Sequence, residues 1–154
     1  AQKGAQLHTD GFYPEGTENI LISSVDAALA GQNTLLAAES LGYGGVIIGL
    51  VRYEASKIAQ LFNLPDYTYP VFGMALGKPN QNHAVKPRLP YEAVVFEEEY
   101  REQDRSTIQA YDRVQTEYAG ERAKETWSQR LAAQFGQEPN QAIDQLFKEK
   151  KLEK

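Results

Sequence analysis

Apolar positions are densest between Ser23 and Arg52, in the run SSVDAALAGQNTLLAAESLGYGGVIIGLVR. Val25, Leu29, Leu36, Ala37 and Leu41 recur at helical spacing, and alanines occupy most of the remaining faces. A helix lying on a surface carries a polar face as wide as its apolar one. Here only Asp26 and Glu39 are charged, so the spacing predicts a buried helix covered on several sides. Ser23 or Ser24 can cap its start, which would put Asp26 in the first turn, where negative charge is favoured. Gly42 falls where a left-handed residue ends a helix, and Gly42 to Gly45 reads as cap and turn. Val46 to Val51 is short, apolar and rich in β-branched residues, which predicts a buried strand.

The rest of the chain alternates in the same way. Ala1 to Thr17 is polar and broken by Gly4, Gly11, Pro14 and Gly16, hence a surface loop; with no initiator Met it reads as a mature, trimmed or truncated start. Ala55, Ile58, Leu61 and Phe62 share one face of a short helix stopped by Asn63 and Pro65. Pro70 to Leu76 reads as a second buried strand. Lys86 to Pro90 contains two prolines and is held extended, and a third apolar run, Ala93 to Phe96, follows. Beyond Glu97 the pattern becomes charged and helical. Helices are expected over Ser106 to Ala119 and Lys124 to Phe135, and then from an Asn140 cap through Ile143, Leu146 and Phe147, with a tail from Lys148 that frays.

Composition narrows the chemistry. The 154 residues, 42% hydrophobic, suffice for one domain with a core. No run approaches the ~20 continuous apolar residues of a membrane span, and no signal-peptide pattern opens the chain. Cysteine is absent, which excludes disulfides, thiolate nucleophiles and Cys-ligated metals and points to a reducing cytoplasm. His8 and His83 are far apart and make no metal pair; His83 reads as a surface residue. A net charge of −5 offers no general field for nucleic acid.

Three groups of residues invite a functional reading. The glycines at 42, 44, 45 and 49 do not form a dinucleotide fingerprint, because that motif needs a strand before the glycines and a helix after them. Gly49, inside the expected strand, marks either a bulge or a ligand pressed on the backbone. Lys86 and Arg88 stand two apart on the proline-stiffened segment, either as an anion clamp suited to phosphate or as part of a solvated loop. Arg122, Lys124 and Arg130 flank Trp127, where salt bridges to Glu117, Glu121 and Glu125 are the plainer explanation.

Three blocks in order, VDAALAGQNTLLAAESLGYGGVIIGLVR, LFNLPDYTYPVFGMALGKPNQNHAVKPRLP and the distal TWS with its charged helices, resemble the oxygen-insensitive NADPH nitroreductase and flavin reductase branch of the nitroreductase family. The resemblance spans nearly the whole chain. It implies an α+β, FMN-binding fold, read as one domain over 1–154, with a central sheet, buried dimer-interface helices and a C-terminal helical extension. It also implies a cytoplasmic homodimer in which NADPH reduces FMN and a nitroaromatic, quinone or free flavin reoxidises it in a ping-pong cycle. A non-catalytic flavin-binding or dimeric scaffold protein is the alternative.

Carried over by residue, Lys86 and Arg88 match the family's Lys-Pro-Arg contact to FMN. Ile48, Gly49 and Leu50 match the strand end beside the flavin ring, and Glu18 an acidic residue on the substrate side. Arg122 or Lys124 falls where the NADPH phosphate is received. Leu50 stands where the family commonly has a second glycine. The family's opening Arg- and Ser-rich phosphate-binding segment has no counterpart, so the resemblance aligns these residues with the C-terminal two-thirds of such an enzyme. By themselves they are expected to be colourless and inactive.

Overall fold

In the computed structural model, which describes residues 2–153, the elements follow in the order α1 (Gln2–Ala5), α2 (Thr17–Ser40), β1 (Gly44–Ile48), α3 (Ala55–Leu61), β2 (Gly73–Gly77), α4 (Arg105–Ala119), α5 (Trp127–Phe135) and α6 (Ala142–Glu149). Short 3-10 turns cover Gly49–Glu54, Tyr91–Ala93 and Gly120–Arg122. The residues fall into two units. One runs to Asn80 and resumes at Asn140; the other is Gln81–Pro139.

The first unit is arranged about α2. This helix begins six residues before the expected serine caps, after Gly16 at φ 111°, and Glu18 lies in its first turn. Ser23 and Ser24 are interior instead. The Ser23 hydroxyl donates to the Asn19 carbonyl at 2.7 Å. The Ser24 hydroxyl lies 2.7 Å from that of Tyr69, which in turn donates to the Ile20 carbonyl at 2.7 Å. Both serines are therefore engaged within the helix or by a neighbouring segment, and neither is left to cap. The C-terminus is as expected: at Gly42, φ 79°, the amides of Gly42 and Tyr43 return to the carbonyls of Glu39 and Ala38, the paired bonds of a Schellman ending.

The chain by itself covers little of α2. Within this chain Gly31 alone of its residues is buried, while Leu21, Ile22, Val25, Leu29 (60%) and Leu36 (53%) are exposed. Phe72 is the reason Gly31 is glycine, because a β-carbon there would come within 2.4 Å of the ring. By length and composition α2 is also long and apolar enough to cross a membrane.

The strand expected at Val46 to Val51 forms two residues earlier and stops at Ile48, where the 3-10 turn takes over. Gly44 and Gly45 are accordingly strand residues, not turn. A β-carbon on Gly45 would meet Leu35 and its cross-strand partner Leu76, each at 2.6 Å. β1 and β2 pair antiparallel, Gly44 opposite Gly77 and Ile48 opposite Gly73, and both are largely exposed. β2 starts after Pro70 and Val71, because Pro70 has no amide to donate and the Val71 carbonyl accepts from the Arg52 guanidinium at 2.8 Å.

The core of this unit lies where α3 meets α6. Ala55, Ala59 and Leu146 are fully or nearly buried, with Leu64, Tyr69 and Ile143 packed around them, and Phe147 meets Tyr69 edge to face at 4.9 Å. Gln141, not the expected Asn140, stands at the cap position of α6 and makes no side-chain cap bond, while the Asn140 side chain, one residue earlier, accepts from the Ala142 amide at 2.8 Å. The tail does not fray through Leu152. That side chain is 3% exposed, its carbonyl accepts from Gly16, and the Lys150 carbonyl accepts from Tyr67. Ala1 and Lys154, included in the expected loop and tail, lie outside the described residues.

In the second unit, α4 begins one residue before the expectation, with the Asp104 carboxylate accepting from the Ser106 amide at 3.0 Å. α5 begins at Trp127, not Lys124, because Thr126 and Gln129 close a reciprocal capping box.

Leu146, at 0% exposure, is the side chain whose loss leaves the largest void in the first unit. Leu146→Ala is expected to cost about 2 to 5 kcal/mol, read as a lower guanidinium midpoint with unchanged slope. A loss below ~1 kcal/mol would place the core elsewhere.

Candidate functional site

The segment carrying Lys86 and Arg88 has no regular structure, and α4 holds it by side chains. Tyr111, Gln115 and Tyr118 follow at i, i+4 and i+7, so they share one helical face. The Tyr118 hydroxyl donates to the Ala84 carbonyl at 3.0 Å. The Pro87 carbonyl receives two donors, the Tyr111 hydroxyl at 3.1 Å and the Gln115 amide at 2.8 Å. The Gln115 amide also lies 2.6 Å from the Tyr111 hydroxyl. Tyr111 and Gln115 are buried, whereas Lys86 and Arg88 on either side of Pro87 are exposed. Among the described residues neither cation is in an ion pair. Arg88 borders a cavity of about 420 Å³ lined also by Pro90, Glu92, Thr107, Tyr111 and Val114.

The Thr126-Trp127-Ser128 run fastens α5 to α4. Thr126 caps, and Trp127 meets Tyr111 edge to face with centroids 5.2 Å apart. Ser128 gives its amide (2.8 Å) and hydroxyl (2.5 Å) to the Asp112 carboxylate. Burial pushes the Asp112 carboxyl up, but the Ser128 hydroxyl and amide, with help from Thr126 and Trp127, hold it below its ordinary value of 3.8. A negative charge at the start of a helix is favoured by the backbone dipole as well.

Arg122 closes the 3-10 turn after α4, where its Nε donates to the Ala119 carbonyl at 3.3 Å, and Lys124 follows at the surface. The expected salt bridges to Glu117, Glu121 and Glu125 do not form. The ion pairs among the described residues are Lys57 with Glu54 and Lys151 with Asp66. Both cations, and Arg130, are free to meet a solvent anion.

The other candidates belong to the first unit. Glu18 is exposed in the first turn of α2. Ile48 ends β1, Gly49 opens the 3-10 turn, and Leu50 is 70% exposed. The bulge reading of Gly49 does not apply, since the strand has ended at Ile48. A β-carbon at Gly49 would stand 3.2 Å from the Arg52 guanidinium, so the glycine makes room for that side chain. Arg52, Asp112, Tyr111, Gln115 and Tyr118 escaped the sequence reading. The last three could have been noticed as hydrogen-bonding side chains in one helical stripe.

Two family models match the chain, "Nitroreductase family" over residues 9–78 and "Nitroreductase family, C-terminal domain" over 86–154. An NADPH-dependent oxidoreductase of Staphylococcus epidermidis is 38% identical over 141 residues, covering 85% of this chain and 56% of that protein. An NADPH-flavin oxidoreductase of Vibrio harveyi is 42% identical over 157 aligned positions, covering 99% and 65%. The chain thus spans less than two thirds of either relative. The structure of the NADPH:FMN oxidoreductase from Vibrio harveyi complexed with NAD+ superposes with a TM-score of 0.87 at 39% identity, over 99% of this chain and 63% of the other.

The Asp112 bonds have a signed pH dependence. A carboxyl lowered on folding adds stability in full above its unfolded value, and that stability drains away as pH falls through the lower folded value. Asp112→Ala is expected to cost about 1 kcal/mol at pH 7, the scale of a lost helix-start cap. In urea melts run from pH 7 to pH 2.5, the gap between parent and variant should narrow below pH 3.8. A gap that stays constant down to pH 2.5 would assign the loss to packing.

Proposed function

Because this chain belongs to the nitroreductase family, we propose that it works in an FMN-dependent NADPH oxidoreductase that reduces small acceptors such as nitroaromatics, quinones or free flavin. The observation that carries the reading is the exposed pair Lys86 and Arg88 on a segment pinned by α4. Two cations fixed on either side of one proline suit the anionic end or the polar ring edge of a flavin. The names of the Vibrio harveyi relatives, NADPH-flavin and NADPH:FMN oxidoreductase, agree with this choice.

FMN, if bound, would supply the two-electron chemistry of a ping-pong exchange of hydride between NADPH and the acceptor. The chain's own residues bind and orient. Lys86 and Arg88 hold the cofactor by charge-assisted hydrogen bonds. Ile48, Gly49 and Leu50 are the residues that would hold its ring through their backbone, as the resemblance implies. Glu18 faces the acceptor side. Arg122 and Lys124, unpaired at the turn after α4, receive the NADPH phosphate. We place the protein in the cytoplasm.

We also propose a homodimer closed over α2. Its exposed leucines and valines would otherwise face water. Lipid suits them less well, because Asp26 and a run of Gln32, Asn33 and Thr34 lie well inside the helix, and a mid-membrane carboxylate costs about 2.5 to 3.5 kcal/mol.

Arg88→Ala is expected to weaken FMN binding by about 1.5 to 3 kcal/mol, and Lys86→Ala by less, since the guanidinium fork can engage an oxygen pair. Titration of FMN fluorescence measures both. Unchanged affinity in the two variants would return the segment to an ordinary solvated loop.

For the assembly, sedimentation should find a dimer at low micromolar concentration, and Leu29→Glu or Leu36→Glu should break it or cause aggregation. A parent protein that sediments as a stable, soluble monomer would defeat the dimer.

A further inference from the structure

Both backbone angles of Pro87 are constrained, by two independent devices. The pyrrolidine ring holds φ near ~−65°. The carbonyl accepts from the Gln115 amide at 2.8 Å and the Tyr111 hydroxyl at 3.1 Å, and these two bonds restrain the orientation of the Pro87–Arg88 peptide, hence ψ. With φ and ψ of Pro87 both held, the two peptide planes between Lys86 and Arg88 are fixed relative to each other, which narrows the relative directions their side chains can take. A loop of this length without such bonds would sample many relative orientations, and each ordering event would subtract from the affinity for an anion.

The donors are not ordinary surface contacts. Gln115 is 5% exposed and Tyr111 is buried beside it, so the donors are shielded from the water that would compete for the carbonyl. Nothing about packing demands an amide at 115. An apolar residue of similar volume would fill the place without paying to desolvate a polar group. What an apolar residue cannot do is hold the Pro87 carbonyl.

We propose that Gln115, seconded by the Tyr111 hydroxyl, is the positioning residue for flavin binding: it presets the angle between Lys86 and Arg88 by fixing the Pro87 carbonyl, without touching the ligand. The inference rests on the reading of Lys86 and Arg88 as the flavin clamp. It assigns to α4 a part in cofactor affinity that the cation pair alone does not reveal.

The test is a mutant cycle on the intact protein with FMN as the probe, followed by fluorescence quenching, with thermal melts in parallel. Gln115→Leu keeps the volume and removes the donor; Tyr111→Phe removes only a hydroxyl and keeps the ring against Trp127. Gln115→Leu should weaken FMN binding about tenfold, the scale of one hydrogen bond. Tyr111→Phe should weaken it less, with its melt within a few degrees of the parent. Because Gln115 acts through Arg88, the double variant Arg88→Ala, Gln115→Leu should bind FMN no more than about twofold worse than Arg88→Ala alone. A merely structural residue would give additive losses instead.

If Arg88→Ala weakens FMN but Gln115→Leu and Tyr111→Phe leave it unchanged, the positioning inference is wrong and the clamp reading stands. Additive losses in the cycle also overturn the inference alone. If Arg88→Ala has no effect, the clamp reading fails and takes the inference with it. Should Gln115→Leu not fold, Tyr111→Phe decides on the same cycle with Arg88→Ala.

Discussion

Coverage of α2 is the constraint on which the first unit depends. A 24-residue helix with apolar side chains on nearly every face cannot satisfy them against a two-stranded sheet and a few loop residues. Where the chain does touch it, contact is made at glycines. Phe72 presses on Gly31, and Leu35 reaches over Gly45 to Leu76. Glycine in a helix interior costs roughly 1 kcal/mol relative to alanine, so its presence at 31 is accounted for by the ring that a β-carbon would displace. Tyr69 adds a polar anchor near the other end, through Ile20 and Ser24. The faces left over are those the proposed second copy would cover.

The second unit is held together differently. Its buried residues include Gln115 beside Ala93 and Tyr111, and its organising contacts are donors on α4 aimed at carbonyls of an irregular, proline-containing segment. Such a segment has carbonyls to satisfy and no ladder in which to satisfy them, and each one left unmet in a buried place is costly. The tyrosine and glutamine stripe meets that need. The same helix is tied to α5 by Trp127 on Tyr111 and by Ser128 on Asp112. Tyr111 therefore serves two neighbours, its ring facing α5 and its hydroxyl the cation-bearing loop. That arrangement joins α4 to the segment that carries Lys86 and Arg88.

The two units place the candidate residues in different settings. Lys86 and Arg88 gain from a fixed backbone between them, whereas Arg122 and Lys124 sit on a short turn with little holding their side chains. The first pair suits a resident cofactor, for which preorganisation lowers the entropy lost on binding. The second suits a substrate that comes and goes.

What the sequence determined by itself is what short windows carry. The helical period and the Gly42 ending of α2, the proline-stiffened cation pair and the span of α4 are all set by residues within a few positions of one another, and all appear in the fold. The family resemblance came through the same way, from three contiguous blocks. Much of what the reading missed was decided by a partner distant in the chain, although the capping box of Thr126 and Gln129 that starts α5 is local. Ser24 looked like a cap until Tyr69, 45 positions away, claimed its hydroxyl. The strand expected to run to Val51 ends at Ile48, and Arg52 reaches from the turn that follows to a carbonyl nineteen positions away. Pro87 is pinned by donors 24 and 28 positions away. Periodicity states which face of an element is apolar, but not what covers it, and a lone polar residue in a helix does not announce which carbonyl it will meet. Those matters are decided only when tertiary packing brings the partners together, because a hydrogen bond or a buried contact is a property of a pair and the sequence pattern is a property of one strand of chain at a time.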